Sequence, residues 1–233
     1  MTGAWVNKPW LALDFETTGV NPFADRIVQY ACLLIDPVGA LIDGDGDIVN
    51  PGVPIPDGAA AIHGITTEQA VAEGCEPARG LSGIADLLAE HRTSPLVIYN
   101  AAFDWPMLLM EATRHGVEIL PPAGILDPLV IDKQIAKRRR GGRKLAQVAE
   151  HYGVPLGDKA HGAKADALAA AGIMRAIVDR RPDIAERSLV EMTLWQTAAA
   201  EEQRQEFTDY MRRNRDPGFH KPAGWPIPGE RAA

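Results

Sequence analysis

The chain has 233 residues, 46% hydrophobic and 24% charged, with 31 acidic against 24 basic side chains for a net charge of −7. That length suits one domain with an appendage, burying about 70% of its unfolded surface without staples. The acidic balance argues against a non-specific nucleic-acid coat but not against an enzyme that meets nucleic acid through bound metal ions. Cys32 and Cys75 are too few for a disulfide scaffold or a four-thiolate zinc site. No apolar run approaches the ~20 residues of a membrane span. The opening MTGAWVNKPW lacks a basic-then-apolar leader, so the expectation is a soluble cytoplasmic chain without membrane contact.

Residues 10–14 and 27–35 are short, apolar and bounded by turn residues, which predicts two buried strands. A third strand is expected over 40–50, interrupted by the turn chemistry of Asp43-Gly44-Asp45-Gly46-Asp47. That run is no calcium loop, because Pro54 stands where a bidentate Glu is required. Residues 51–58 read as loop, 67–72 and 77–91 as a helix pair, 96–100 as a strand, 102–115 as a helix and 124–127 as a final strand. Asp127-Pro128 has the form of an N-cap with proline at the first helical position. Helices are expected at 128–136, 144–152 and 163–180, giving an α/β fold with a mixed sheet flanked by helices. After Arg181-Pro182 the strand signals stop, and Asp183 is placed to cap a long helix towards Arg213. Residues 216–233 are too rich in Pro and Gly for regular structure. The division is therefore a domain over 1–181 and a helical extension with a Pro/Gly tail over 182–233.

Three segments carry candidate chemistry. Asp14 and Glu16 lie two apart at a strand end, so both carboxylates project to one face while Phe15 turns into the core. Side by side, two anions repel and favour a cation, and oxygen-only ligands suit Mg²⁺ or Mn²⁺. Asp104, in Tyr99-Asn100-Ala101-Ala102-Phe103-Asp104, falls in the first turn of a helix, where the helix dipole favours a carboxylate. His161 and Asp166 would diverge on one helix, but converge if Gly162 keeps His161 in the preceding loop. Each segment alone has a plain reading as a turn, a helix start or a surface pair.

Together, DFETTG, YNAAFD and HGAKAD resemble, in order and placement, the three motifs of the DnaQ-like family of 3′–5′ exonucleases, in its DEDDh branch. IHGIT at 62–66, ILDP at 125–128 and KLAQVAEHYGV at 144–154 extend the likeness to roughly residues 9–180. The branch assignment rests on a histidine five residues before Asp166; the sister branch has tyrosine four before it, where this chain has Gly162. The resemblance implies a ribonuclease H-like fold and hydrolysis of single-stranded DNA or RNA to nucleoside 5′-monophosphates. Asp14, Glu16, Asp104 and Asp166 would be direct or water-mediated ligands of two divalent ions, Mg²⁺ or Mn²⁺, and His161 the general base.

The same likeness puts His63 and the hydroxyl or backbone groups of Thr17 and Thr18 near the terminal nucleotide. Phe15 and Phe103 are core wedges or base platforms, and Asp127 is a helix cap near the acids. Partners implied are a nucleic-acid 3′ end and, through the C-terminal helix, a DNA polymerase or a second copy of this chain. Residues 137–144 (KRRRGGRK) concentrate six positive charges, readable as a flexible phosphate-attracting arm or a solvated turn. The alternatives are an RNA-directed exonuclease of the ribonuclease T or oligoribonuclease type, and a non-catalytic adaptor associated with a polymerase.

Overall fold

Alternation along the two opening strands sets the architecture. In β1 (Trp10–Thr17), Leu11, Leu13 and Phe15 enter one apolar cluster while Trp10 and Ala12 enter another. In β2 (Ile27–Ile35), Tyr30, Cys32 and Leu34 join the first, and Ala31, Leu33 and Ile35 the second. A sheet apolar on both faces must be covered on both. The computed structural model, which describes residues 4–156 and 162–229, shows that covering.

The sheet has the order β3-β2-β1-β4-β5, with β3 (Leu41–Ile48), β4 (Leu96–Val97) and β5 (Ile125–Leu126). β1, β2 and β3 pair antiparallel, while β1, β4 and β5 run parallel. Between β3 and β4 lie α1 (Asp57–His63), α2 (Thr67–Glu73) and α3 (Pro77–Glu90), and between β4 and β5 lies α4 (Ala101–His115). After β5 come α5 (Pro128–Ile135), α6 (Leu145–Tyr152), α7 (Ala163–Arg180), α8 (Pro182–Ala185) and α9 (Leu189–Asn214). α3 and α4 contribute to the cluster on one face, and α5 to α9 to the cluster on the other. This is the ribonuclease H-like mixed sheet flanked by helices, with further helices at the C-terminal end.

α7 lies against β1 and β2 because its sheet-facing side is built from Ala163, Ala167, Ala170 and Ala171, small enough for close approach. Met192, Ile184 and Ala185 belong to the same cluster, so α8 and α9 bury apolar surface against the rest of the fold. Among the described residues no helix is long and apolar enough to cross a membrane.

Several expectations are corrected. The Asp-Gly alternation over residues 43–47 does not break the third strand but forms it. A Cβ at Gly44 or Gly46 would lie 2.9 Å from a carbonyl oxygen of β2, whereas Asp45 accepts from the Tyr30 hydroxyl and Asp47 pairs with Arg79. Charge on such an edge strand also discourages further strand pairing. The segment read as loop over 51–58 turns helical at Asp57, and β4 and β5 are only two residues long each. The cap of the long C-terminal helix is Ser188, whose side chain and Glu191 close a capping box; Asp183 lies in the separate short α8 and pairs with Arg181.

Candidate active site

The carboxyl ends of the parallel strands converge on one edge of the sheet, where open α/β sheets hold their ligands. At the end of β1, Asp14 and Glu16 share the strand face of Trp10 and Ala12, the face covered by α7, while Phe15 is buried opposite. Gly162 caps α7 in an extended conformation, which places Asp166 in the first helical turn. One carboxylate oxygen from each of Asp14, Glu16 and Asp166 lies within 4.8 Å of the other two. Asp104, in the first turn of α4 and only 4% exposed, accepts the Phe15 backbone N–H.

The acids pay an electrostatic penalty. Burial, reinforced by Asp104, Asp166 and Glu16, pushes the Asp14 carboxyl well above the ordinary carboxylate range. Glu16 is raised to about 7 by burial and by Asp166. Burial likewise raises Asp104, against the pull of the Phe15 hydrogen bond. Oxygen-only donors this close together, made reluctant to ionise, fit a hard divalent cation, which supplies the missing positive charge.

Two backbone anchors position these groups. Gln29, directly across β1–β2 from Glu16, accepts the Ala163 N–H at 3.0 Å and so ties the start of α7 to the sheet. Asp127 caps α5 through Leu129 and Val130, and also accepts the Asn100 and Ala101 amides at 3.1 and 2.9 Å. Both readings of Asp127, cap and neighbour of the acids, therefore hold: its charge also raises Asp104. Asn100 itself is left-handed, with φ 66°, at the junction from β4 into α4. Gln29 escapes sequence reading, since only strand register brings it to α7. Gln196 escapes it too; from α9 its side chain accepts the Asp127 amide and donates to the Ile125 carbonyl.

Of the other expected contacts, His63 ends α1 and lies beside the Thr17 carbonyl. Its Nδ1 accepts the Ile65 amide, leaving the proton on Nε2, and burial lowers its pKa. The Thr17 hydroxyl donates to the Gly19 carbonyl, while buried Thr18 accepts the Arg26 amide, closing the β1–β2 connection. Phe103 packs, half-buried, against the cluster that contains Phe15. His161 lies outside the described residues.

The basic segment over 137–144 is tied down rather than free. Arg139 and Arg143 approach fully buried Asp132 at 2.9 and 2.8 Å, Tyr152 donates to the same carboxylate, and Lys137 pairs with Glu202. Half of the six charges are therefore matched within the fold.

The exonuclease family model (RNase_T) matches residues 11–174. An uncharacterized exonuclease, CP81 of Escherichia phage 186, is 32% identical over 184 residues, covering 74% of this chain and 90% of that protein. A DNA polymerase III subunit epsilon-like protein of Rhodobacter capsulatus is 30% identical over 171 residues, or 70% of this chain and 22% of its own length. Among solved structures, E. coli exonuclease I in complex with a dT13 oligonucleotide superposes with a TM-score of 0.66 at 23% identity, a likeness of fold. That alignment covers 76% of this chain and 42% of the exonuclease I chain.

Proposed function

This chain belongs to the DnaQ-like exonuclease family, and from that premise we propose that it is a DEDDh-type 3′–5′ exonuclease acting on single-stranded DNA. The observation that carries the reading is the meeting of Asp14, Glu16 and Asp166 within 4.8 Å at the open edge of the sheet, with Asp104 buried beside them. These four residues would hold two divalent cations, Mg²⁺ or Mn²⁺, which when bound neutralise phosphodiester charge and lower the pKa of water. His161 takes the proton of the attacking water as general base, so activity rises as the imidazole deprotonates. The water oxygen bonds to phosphorus as the bond to the neighbouring 3′ oxygen breaks. The products are a nucleoside 5′-monophosphate and a strand one residue shorter.

Under this proposal the terminal nucleotide lies against His63 and the backbone groups of Thr17 and Thr18, and Phe103 lies one residue before Asp104. In this reading residues 1–181 carry the chemistry and residues 182–233 brace it, with a polymerase or a second copy as the partner of α9. The polymerase III relative and the oligonucleotide-bound fold neighbour favour DNA over RNA as the substrate.

Strands labelled at either end, incubated with and without Mg²⁺, test the proposal. A 5′ label should produce a descending ladder and a 3′ label an immediate mononucleotide, both abolished by chelation. The reverse pattern, or identical patterns without metal, would overturn it. RNA oligomers of matched sequence run alongside decide the sugar preference.

A further inference from the structure

Residues 216–229 contain no helix or strand, yet α9 fixes them in place. Arg204 donates to the Lys221 carbonyl at 3.0 Å and Arg212 to the Phe219 carbonyl at 2.8 Å, while Phe219 meets Phe207 edge to face. Trp225 donates from Nε1 to Asp127 at 3.3 Å. Between this segment, α5, α9 and the start of α4 runs a groove of about 970 Å³. That is the upper end of the ~300–1,000 Å³ of ligand clefts, room for an extended molecule rather than an isolated ion. One end is lined by Asn100 and Ala102, within a helical turn of Asp104.

The groove walls carry Lys133 and Lys221, and neither ammonium forms an ion pair with a described residue. The neighbouring Arg204 is already matched by Glu201. Burial lowers both lysines below the ordinary ammonium range, and Lys221 lowers Lys133 further. Aromatic rings share the groove with these cations: Phe207, with the Lys221 ammonium 5.3 Å from its ring centre, and Trp225 in the lining. Unmatched cations together with aromatic rings hold single strands, through phosphate attraction and base stacking.

We propose that this groove holds the strand on the 5′ side of the nucleotide being released, with Lys133 and Lys221 on backbone phosphates and an aromatic ring beneath a base. The inference rests on the strand-hydrolysing reading of the acid cluster and extends the substrate path beyond it. The family match ends at residue 174, so the wall formed by α9 and the tail lies outside the matched region.

The test is fluorescence anisotropy of 5′-labelled DNA strands, from a dinucleotide to about a dozen residues, titrated in EDTA at several salt concentrations. Wild-type affinity should climb with length. In Lys133→Gln/Lys221→Gln the longest strand should bind about tenfold more weakly, and its log–log salt slope should shrink by about 1.4, two contacts at ~0.7 each. Arg92→Ala, outside the groove, serves as the charge control and keeps the wild-type slope. Trp225→Leu supplies a second variant whose charge is unaltered but which lacks the ring, with a loss confined to the longer strands. Affinity independent of length in the wild type overturns the proposal and leaves the groove to a protein segment. A wild-type slope in the double variant overturns it as well. Length-dependent binding in a protein that hydrolyses no strand with Mg²⁺ overturns the catalytic reading instead.

Discussion

Asp14 shows at the level of one residue how function opposes stability. Replacing it with Asn keeps the shape but removes an anion from a site where burial and three other acids already disfavour charge. Asp14→Asn is expected to lose metal-supported hydrolysis by at least about a hundredfold and yet to melt higher than wild type in EDTA at pH 8. Wild-type Glu16 has a folded pKa of about 7 against an ordinary 4.5, so between those values the folded state binds more protons than the unfolded. Stability is therefore lost as pH rises through that window, and the full penalty stands above it. Asp14 is shifted in the same direction by burial and its neighbouring acids, so the melting advantage of Asp14→Asn should grow as pH rises above the ordinary carboxylate range, at about 2–4 °C per kcal/mol for a chain of this size, and vanish when Mg²⁺ is added to both proteins. A constant difference across pH would refute the charge argument. His161→Ala has a different signature: Mg²⁺ still raises its melting temperature, while turnover falls by about 10²–10⁴. The acids themselves were legible in the sequence because strand and helix starts place them locally. The size of their mutual repulsion was not, since it depends on burial and on residues some 150 positions away.

Helices and strands are held by partners that local patterns only half disclose. The run KRRRGGRK reads as an arm for phosphate, but Arg139 and Arg143 turn inward to Asp132, which has no solvent of its own. Asp132→Asn should cost about 3–5 kcal/mol in chemical denaturation, because two guanidinium groups lose their buried counter-ion. A loss below 1 kcal/mol would return the segment to the role of a free basic arm. Ser188→Ala should cost about 1 kcal/mol by opening the capping box of α9, whereas Asp183→Ala should leave that helix unaffected. The box was present as Ser-Leu-Val-Glu in the sequence, and Arg181-Pro182 drew the helix start too early because proline so often opens one. Gly44 and Gly46 misled in the same way: the Asp-Gly alternation favours turns locally, but the pairing with β2 rewards residues without a Cβ.

For the molecule as a whole, the question is whether α9 is an appendage or a brace. Met192 is fully buried in the cluster that holds α7, and Gln196 satisfies backbone groups on both sides of the β5–α5 junction. Removing residues 182–233 should therefore yield a chain that exposes apolar surface, melts at least 10 °C lower and binds a hydrophobic dye. A truncated protein with wild-type melting would show instead that residues 1–181 stand alone. The milder Gln196→Leu should keep the fold but loosen Asp127, raising KM more than it lowers kcat if the α4 start positions substrate.

The sequence by itself determined which groups are the candidates for the chemistry, their order, and the helices that bear Asp104 and Asp166, because caps, glycine breaks and period-two alternation act within a few residues. Only the tertiary structure decided that β1, β4 and β5 end where α7 begins, that Gln29 and Gln196 secure that point, and that the Pro/Gly tail folds back as a wall. Those outcomes depend on strand order, register and side-chain reach across 70 to 130 residues of chain, energies that no local pattern contains.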